Sequence, residues 1–187
     1  RALNRLDFEV SYYIIGRFKT TEVYGNLPFS VEMQVLNNSL YEKPIDLRIV
    51  DPGHFTISYD GGQGIVTKNF PFKKDIADSD FTLRVDPNVD LKSSTIDRYT
   101  ATDYRFVRHE RSRQVAKYAG RLAVENLPYT TILQVNVEDE ISERAKMFLD
   151  TLSNEYIKYT LQGDFDINEN TLGYIDKQLD EVSGILN

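Results

Sequence analysis

Cysteine is absent from all 187 residues, which removes disulfides, thiol nucleophiles and zinc–thiolate sites together. Histidine is almost absent. His54 sits beside a turn and His109 in a charged stretch, with no third ligand at metal spacing, and both read as surface residues. Bases are few: 22 Lys and Arg stand against 29 Asp and Glu, a formal charge of −7. Nucleic-acid binding draws its affinity from clustered bases, so this balance excludes nucleic acid as the expected partner. No apolar run approaches the ~18–20 residues needed to cross a bilayer. No charged-then-apolar leader follows Arg1, and a helical pattern is still running at Leu186. Both ends are therefore expected to lie inside a longer protein.

What remains is ordinary globular material, 41% hydrophobic and 27% charged, enough for one domain with a substantial insertion. The first two thirds read as β. Phe8, Val10, Tyr12 and Ile14 alternate, although Tyr13 and Ile15 make the end of that strand apolar on both faces. Phe29, Val31, Met33 and Val35 alternate cleanly with Ser30, Glu32 and Gln34. Ile45, Leu47 and Ile49 repeat the pattern, as do Phe55, Ile57 and Tyr59, with a turn at Asp51-Pro-Gly53 between them. Asp60-Gly-Gly-Gln-Gly64 is a second turn before a short run at 65–67. Phe81, Leu83 and Val85 form another strand, closed by Asp86-Pro-Asn88. This spacing predicts a small meander or sandwich-like sheet.

The last third changes period. Val115, Tyr118, Ala119 and Leu122 predict an amphipathic helix over 110–124, and 132–137 a strand. Asp139 suits an N-cap, after which Ile141, Ala145, Phe148, Leu149, Leu152, Tyr156 and Ile157 make a long apolar stripe. A break is expected at Gly163-Asp-Phe-Asp166. Beyond it Leu172, Ile175, Leu179, Val182 and Leu186 have heptad spacing. This seam is one arm of an antiparallel helical hairpin, a surface for another subunit, or simple packing on the sheet. Periods of 3.5 and 3.6 do not separate over about two heptads.

Chemistry is harder to find. Gly61-Gly-Gln-Gly64 lacks the Lys-Ser/Thr and following helix of a phosphate loop, and reads as a turn. Glu138-Asp-Glu140 reads as acids at a helix start, and Asp164 with Asp166 as loop acids. A glycosidase would need two carboxyls facing across a cleft, and no Ser or Thr nucleophile has a recognisable partner motif. Neither catalytic, cofactor nor metal residues are therefore assigned. Arg105, Arg108, Arg111, Arg113, Lys117 and Arg121 face the single acid Glu110, with Arg113, Lys117 and Arg121 on one helix face. That row would meet an anionic saccharide, an acidic partner or lipid headgroups, or it is a solvated face balancing the acidic C-terminal third. A carbohydrate-binding alternative would stack sugar on Tyr59, Phe70 or Phe72.

The stretch Tyr129-Thr-Thr-Ile-Leu-Gln-Val-Asn-Val-Glu-Asp-Glu-Ile-Ser-Glu-Arg-Ala145 continues through Phe148-Leu-Asp-Thr-Leu152, Tyr156-Ile157 and Asn170-Thr-Leu-Gly-Tyr-Ile-Asp-Lys-Gln-Leu179. It resembles the chain-length-determinant (Wzz-type) polysaccharide co-polymerase family, in which a strand, an acidic turn and a helix entered through Ala appear in this order. Phe8-Glu-Val-Ser-Tyr-Tyr and Pro28-Phe-Ser-Val-Glu-Met look like the strands of its tyrosine-autokinase branch. The resemblance covers the last 80 residues well and the first 35 more loosely. It implies an α+β periplasmic domain held by two membrane helices. The base would be residues 1–37 and 104–187, a β-rich insertion residues 38–103, and the C-terminus a truncated helical hairpin. It further implies a non-catalytic scaffold that homo-oligomerises and works with the polymerase and export machinery of a capsule or exopolysaccharide. In the autokinase branch a cytoplasmic domain with Walker motifs and a tyrosine-rich tail follows, and none of those motifs is in this chain. The family's proline-rich segment and the strand after its first membrane helix are also missing.

Overall fold

The computed structural model describes residues 2–91 and 96–186, and their side chains apart from Asp164 and residues 180–186. The chain is α+β, as expected, and falls into two units: Asp7–Ala145, and Arg1–Leu6 with Lys146–Asn187.

The first unit holds the strands. They are β1 (Val10–Ile15), β2 (Thr20–Val23), β3 (Phe29–Val35), β4 (Pro44–Asp51), β5 (His54–Asp60), β6 (Ile65–Pro71), β7 (Ile76–Ala77), β8 (Phe81–Pro87) and β9 (Asp103–Arg108). A six-stranded antiparallel sheet runs β2-β1-β9-β4-β5-β6, and a three-stranded one β3-β8-β7. Two sheets fold together here because each hides one face of alternating side chains. Phe29, Val31, Met33 and Val35 on β3 point into the same core as Ile45, Leu47 and Ile49 on β4 and Phe55, Ile57 and Tyr59 on β5. Aromatic rings bridge the sheets edge to face, with Phe29 against Tyr104 at 5.2 Å and Tyr59 against Phe81 at 5.6 Å, an arrangement that adds to the area term.

The expected base and the expected insertion at residues 38–103 share both sheets. Strands β1, β2 and β9 of the expected base share one sheet with β4, β5 and β6 of the expected insertion, and β3 pairs with β8 along its whole length. The junction is β9, a strand hidden in a stretch of charge. Tyr104 and Phe106 face the core and Arg105 points away from it, while Arg108, on the core-facing side at the end of the strand, reaches across to the Met33 carbonyl on β3. The glycine turn is as read: Asp60 accepts from the Gly62 amide at 2.8 Å, and Gly62 and Gly64 take positive φ of 88° and 138°, the region glycine enters without steric cost.

Four further elements belong to this unit: α1 (Ile96–Thr100), which precedes β9, then α2 (Arg111–Arg121), whose chain runs directly into β10 (Leu122–Asn126), and β11 (Leu133–Val137), which pairs antiparallel with β10 as a separate two-stranded sheet. The helix α2 is shorter than predicted and turned about its axis. Gln114 and Tyr118 are buried while Val115 and Ala119 are exposed. Tyr118 decides the turn, stacking on Phe8 at 5.4 Å.

The last element, α3 (Ser142–Leu186), is one helix of 45 residues. Its backbone passes through Gly163–Asp166 without a break, so the turn of the expected helical hairpin does not fall there. A lone glycine without proline costs a helix only about 1 kcal/mol, and Gln162 donates to Asp166 across the spot at 2.9 Å. At 1.5 Å per residue α3 is roughly 65–70 Å long. In its own unit, Arg5 pairs with Glu155 at 2.6 Å. None of the described helices is long and apolar enough to cross a membrane.

Candidate functional site

A chain of polar side chains crosses the β1–β2 end of the large sheet. Ser11 on β1 and Glu22 on β2 lie on one face, and the Ser11 hydroxyl donates to Glu22 at 2.9 Å. Glu22 also accepts from the guanidinium of Arg144, in the first turn of α3. Arg144 donates from Nε and Nη2 to Asp139, with contacts at 2.9 Å and 2.7 Å. Asp139 accepts from the Tyr118 hydroxyl at 2.8 Å and from the Ile141 amide at 2.9 Å. Asp139 is not the N-cap expected from the sequence: α3 begins at Ser142, and Asp139 lies three residues ahead of it, spending most of its capacity on Arg144.

Burial would raise both acids, but Arg144 outweighs it and holds Glu22 and Asp139 below the usual carboxylate range, with help from Ser11 for Glu22 and the Ile141 amide for Asp139. Arg144 is itself pushed upward: desolvation opposes its charge, and the hydrogen bonds to Asp139 and Glu22 overcome that. Tyr118 is raised by burial and by its bond to Asp139.

His109 extends the series in the other direction. Its Nε2 lies 3.0 Å from the Ser11 hydroxyl and its Nδ1 2.7 Å from Glu42. It is not the surface residue that its charged neighbours predict. Glu42 reaches it from a left-handed backbone, φ 63°, and also accepts from the Glu110 amide at 3.0 Å. Serine, histidine and carboxylate in series have the order of a nucleophilic triad. Here the serine is buried and its hydroxyl hydrogen is directed at Glu22 rather than at the imidazole, so its oxygen is left to accept from His109. The geometry makes a structural tie joining β1, β2, β9 and the root of α3.

The basic stretch is largely absorbed. Arg105 grips Asp46 at 2.6 Å. Arg108 pairs with Glu9 and donates to the Met33 carbonyl at 2.9 Å, on the outer edge of β3. Of the row on α2, Arg113 is 3.8 Å from Glu110 and Arg121 3.7 Å from Glu140, distances that bring little energy at the surface. Lys117 acts electrostatically on Glu22.

A cleft of about 460 Å³ opens beside the β3 edge, lined among others by Asp7, Glu9, Glu32, Asp75, Arg84 and Arg108. Glu9 is held by Arg108, and Asp75 lies 3.3 Å from Arg84. Asp7 is raised above the usual carboxylate range, first by withdrawal from water and then by Glu9, with Glu32 adding to it against the pull of Arg108. Its acids are exposed or ion-paired, which is not a facing pair of buried carboxyls. The aromatics considered for sugar stacking are also committed elsewhere. Tyr59 and Phe72 are buried, and Phe70 packs against the core. Among the described residues no group of three or more His, Asp or Glu is arranged to hold a metal ion.

The remaining surface feature is the apolar stripe on α3. Leu172, Ile175 and Leu179 are exposed at 61%, 46% and 59%, and Val182 and Leu186 lie beyond the described side chains. The same spacing extends back through Asn168 and Phe165 to Leu161, both of these apolar residues exposed. The sequence break assumed at Gly163 had hidden this continuity.

No protein-family model matches this chain, and no curated protein matches it either.

Proposed function

We propose that this chain is a non-catalytic assembly module, of the kind that polysaccharide co-polymerases hold in the periplasm to govern capsule or exopolysaccharide chain length and export. The observation that carries the reading is the stripe Leu161–Phe165–Leu172–Ile175–Leu179, left in water on a helix far longer than its own unit can cover. A helix this long and apolar needs a partner, because exposed contiguous apolar surface of this kind marks an interface. The block that resembles the family, Tyr129 to Leu179, coincides with β11, the acidic turn and α3. On this reading the partners are further copies of the chain and the polymerase and export machinery. Membrane segments flank it in the parent, which in the autokinase branch also carries a cytoplasmic tyrosine kinase.

The test is self-association. Sedimentation equilibrium and small-angle X-ray scattering should show concentration-dependent oligomers as the chain approaches roughly millimolar, the effective concentration that tethering supplies. Leu172→Glu with Leu179→Glu should abolish them. A chain that stays monomeric throughout refutes the assembly role. A gene that encodes no membrane helix on either side of this segment refutes the co-polymerase assignment.

A further inference from the structure

Acids crowd the distal part of α3. From Leu161 onward Asp164, Asp166, Glu169, Asp176, Asp180 and Glu181 face the single base Lys177. Glu169 and Asp176 are exposed and seven residues apart, so they form a line beside the Leu161–Leu179 stripe. Two α3 helices laid stripe to stripe would bring these acidic lines together, and like charges across an interface oppose the pairing. The stripe therefore calls for a basic, apolar counterpart.

The chain carries one. Helix α2 has four bases and no acid, with Arg113, Lys117 and Arg121 in a row. The chain then enters the β10–β11 hairpin, where register places Leu122, Val124, Leu133, Val135 and Val137 on one face and Ala123, Glu125, Gln134 and Asn136 on the other. The apolar face is left open: Val124 is 55% and Leu133 50% exposed. A two-stranded hairpin alone in water is marginal, so this face too asks for cover. The dimensions agree. Glu169 and Asp176 are separated by roughly 10.5 Å along their helix, and Arg113 and Arg121 by roughly 12 Å along theirs.

We propose that a second copy of the chain covers both: the acidic apolar stripe of α3 in one copy docks on α2 and the β10–β11 face of the next. This rests on the assembly reading and goes beyond it by assigning the two halves. The contact is heterologous, so each copy offers one half to either neighbour, and assembly continues until it closes as a ring or runs on as a filament. The long, exposed pairs Arg113–Glu110 and Arg121–Glu140 are exchanged at little cost for pairs to Glu169 and Asp176.

Two variants test the assignment, each spoiling one half. Leu172→Glu/Leu179→Glu disables the α3 side, and Arg113→Glu/Val124→Glu the α2–hairpin side, with circular dichroism confirming that both fold. Arg113→Gln is the milder second variant and should weaken association by itself about two- to fivefold. Each double variant alone should be monomeric. Mixed in equal amounts they should form a one-to-one dimer that does not grow, because one good half survives on each. Separately, reversing Glu169 and Asp176 to Lys in a chain that carries Arg113→Glu and Lys117→Glu should restore assembly. If the wild type assembles but the mixture stays monomeric, or if the α2–hairpin variant assembles normally, the heterologous pairing is overturned while the assembly role stands. If the wild type never assembles, both fall. A wild type that stays monomeric but takes up a synthetic basic amphipathic helix would show a foreign occupant and overturn the proposal.

Discussion

Replacing Arg144 by methionine should be among the most damaging single changes in the Asp7–Ala145 unit. The guanidinium is 5% exposed and serves two acids, Asp139 at 0% and Glu22 at 11% side-chain exposure. Methionine keeps the unbranched apolar stem and removes the guanidinium, so the loss is mainly electrostatic. Two carboxylates are left without their cation, and breaking one side of a buried ion pair typically costs about 3–5 kcal/mol. For a chain of this size that lowers the melting temperature by roughly 6–20 °C. The sign with pH follows from the direction of the shifts. Glu22 and Asp139 are held below their unfolded values, so they contribute stability that is fully present above the unfolded carboxylate range. That stability is lost as pH falls through their lowered values. In the variant both acids are pushed up by burial instead. The penalty should therefore be largest near neutrality and shrink between about pH 6 and pH 3, as both take up protons. Urea unfolding followed by circular dichroism at several pH values measures this directly. Arg144→Lys should fall between wild type and methionine, because an ammonium cannot reproduce the forked contacts. A methionine variant within about 1 kcal/mol of wild type at neutral pH, or with a pH-independent penalty, would refute the reasoning.

Asp7→Asn should work in the opposite direction. Asp7 is raised in the folded state, so folding weakens as pH rises through its range. The variant should gain a modest ~0.5 kcal/mol at neutral pH, discounted for exposure, and nothing below about pH 3.5, as thermal melts at the two pH values would show. Phe106→Ala empties a fully buried position where the two sheets meet; urea titration should show a loss of about 3–5 kcal/mol. His109→Ala removes the partner that Ser11 and Glu42 share and should cost about 1–3 kcal/mol by the same assay. A neutral result there would mean that water replaces the imidazole at no cost.

The alternating strands show how far local pattern reaches. The burial of β3 reproduces the Phe29, Val31, Met33, Val35 alternation residue by residue, because a strand with one face in the core must place every second side chain there. Strand β9 was illegible for the converse reason. Arg105 and Arg108 made this segment read as the start of a basic stretch, yet both arginines are satisfied by acids elsewhere in the fold. On α2, the apolar spacing of Val115 and Ala119 pointed to the wrong face, since one aromatic stack at Tyr118 outweighed two small side chains. At Gly163 the glycine looked like a stop, but helix propagation on both sides overrode a local cost of about 1 kcal/mol.

The polar tie was out of reach for a different reason. Glu42 and His109 are 67 residues apart, Ser11 and His109 98, and Glu22 and Arg144 122. Nothing in the residues near His109 distinguishes a half-buried, doubly bonded imidazole from a solvated one. By itself the sequence determined β1, β3, β4, β5, β8 and β11, the turns at 51–53 and 60–64, the helical C-terminus and the heptad stripe, all of which are periodicities or turn signals carried by neighbouring residues. Only the tertiary structure decided the strand order, the burial of Arg144, the partners of the other arginines and of half-buried His109, and which apolar faces remain in water. Those depend on which distant side chains meet, and short-range pattern contains no term for that.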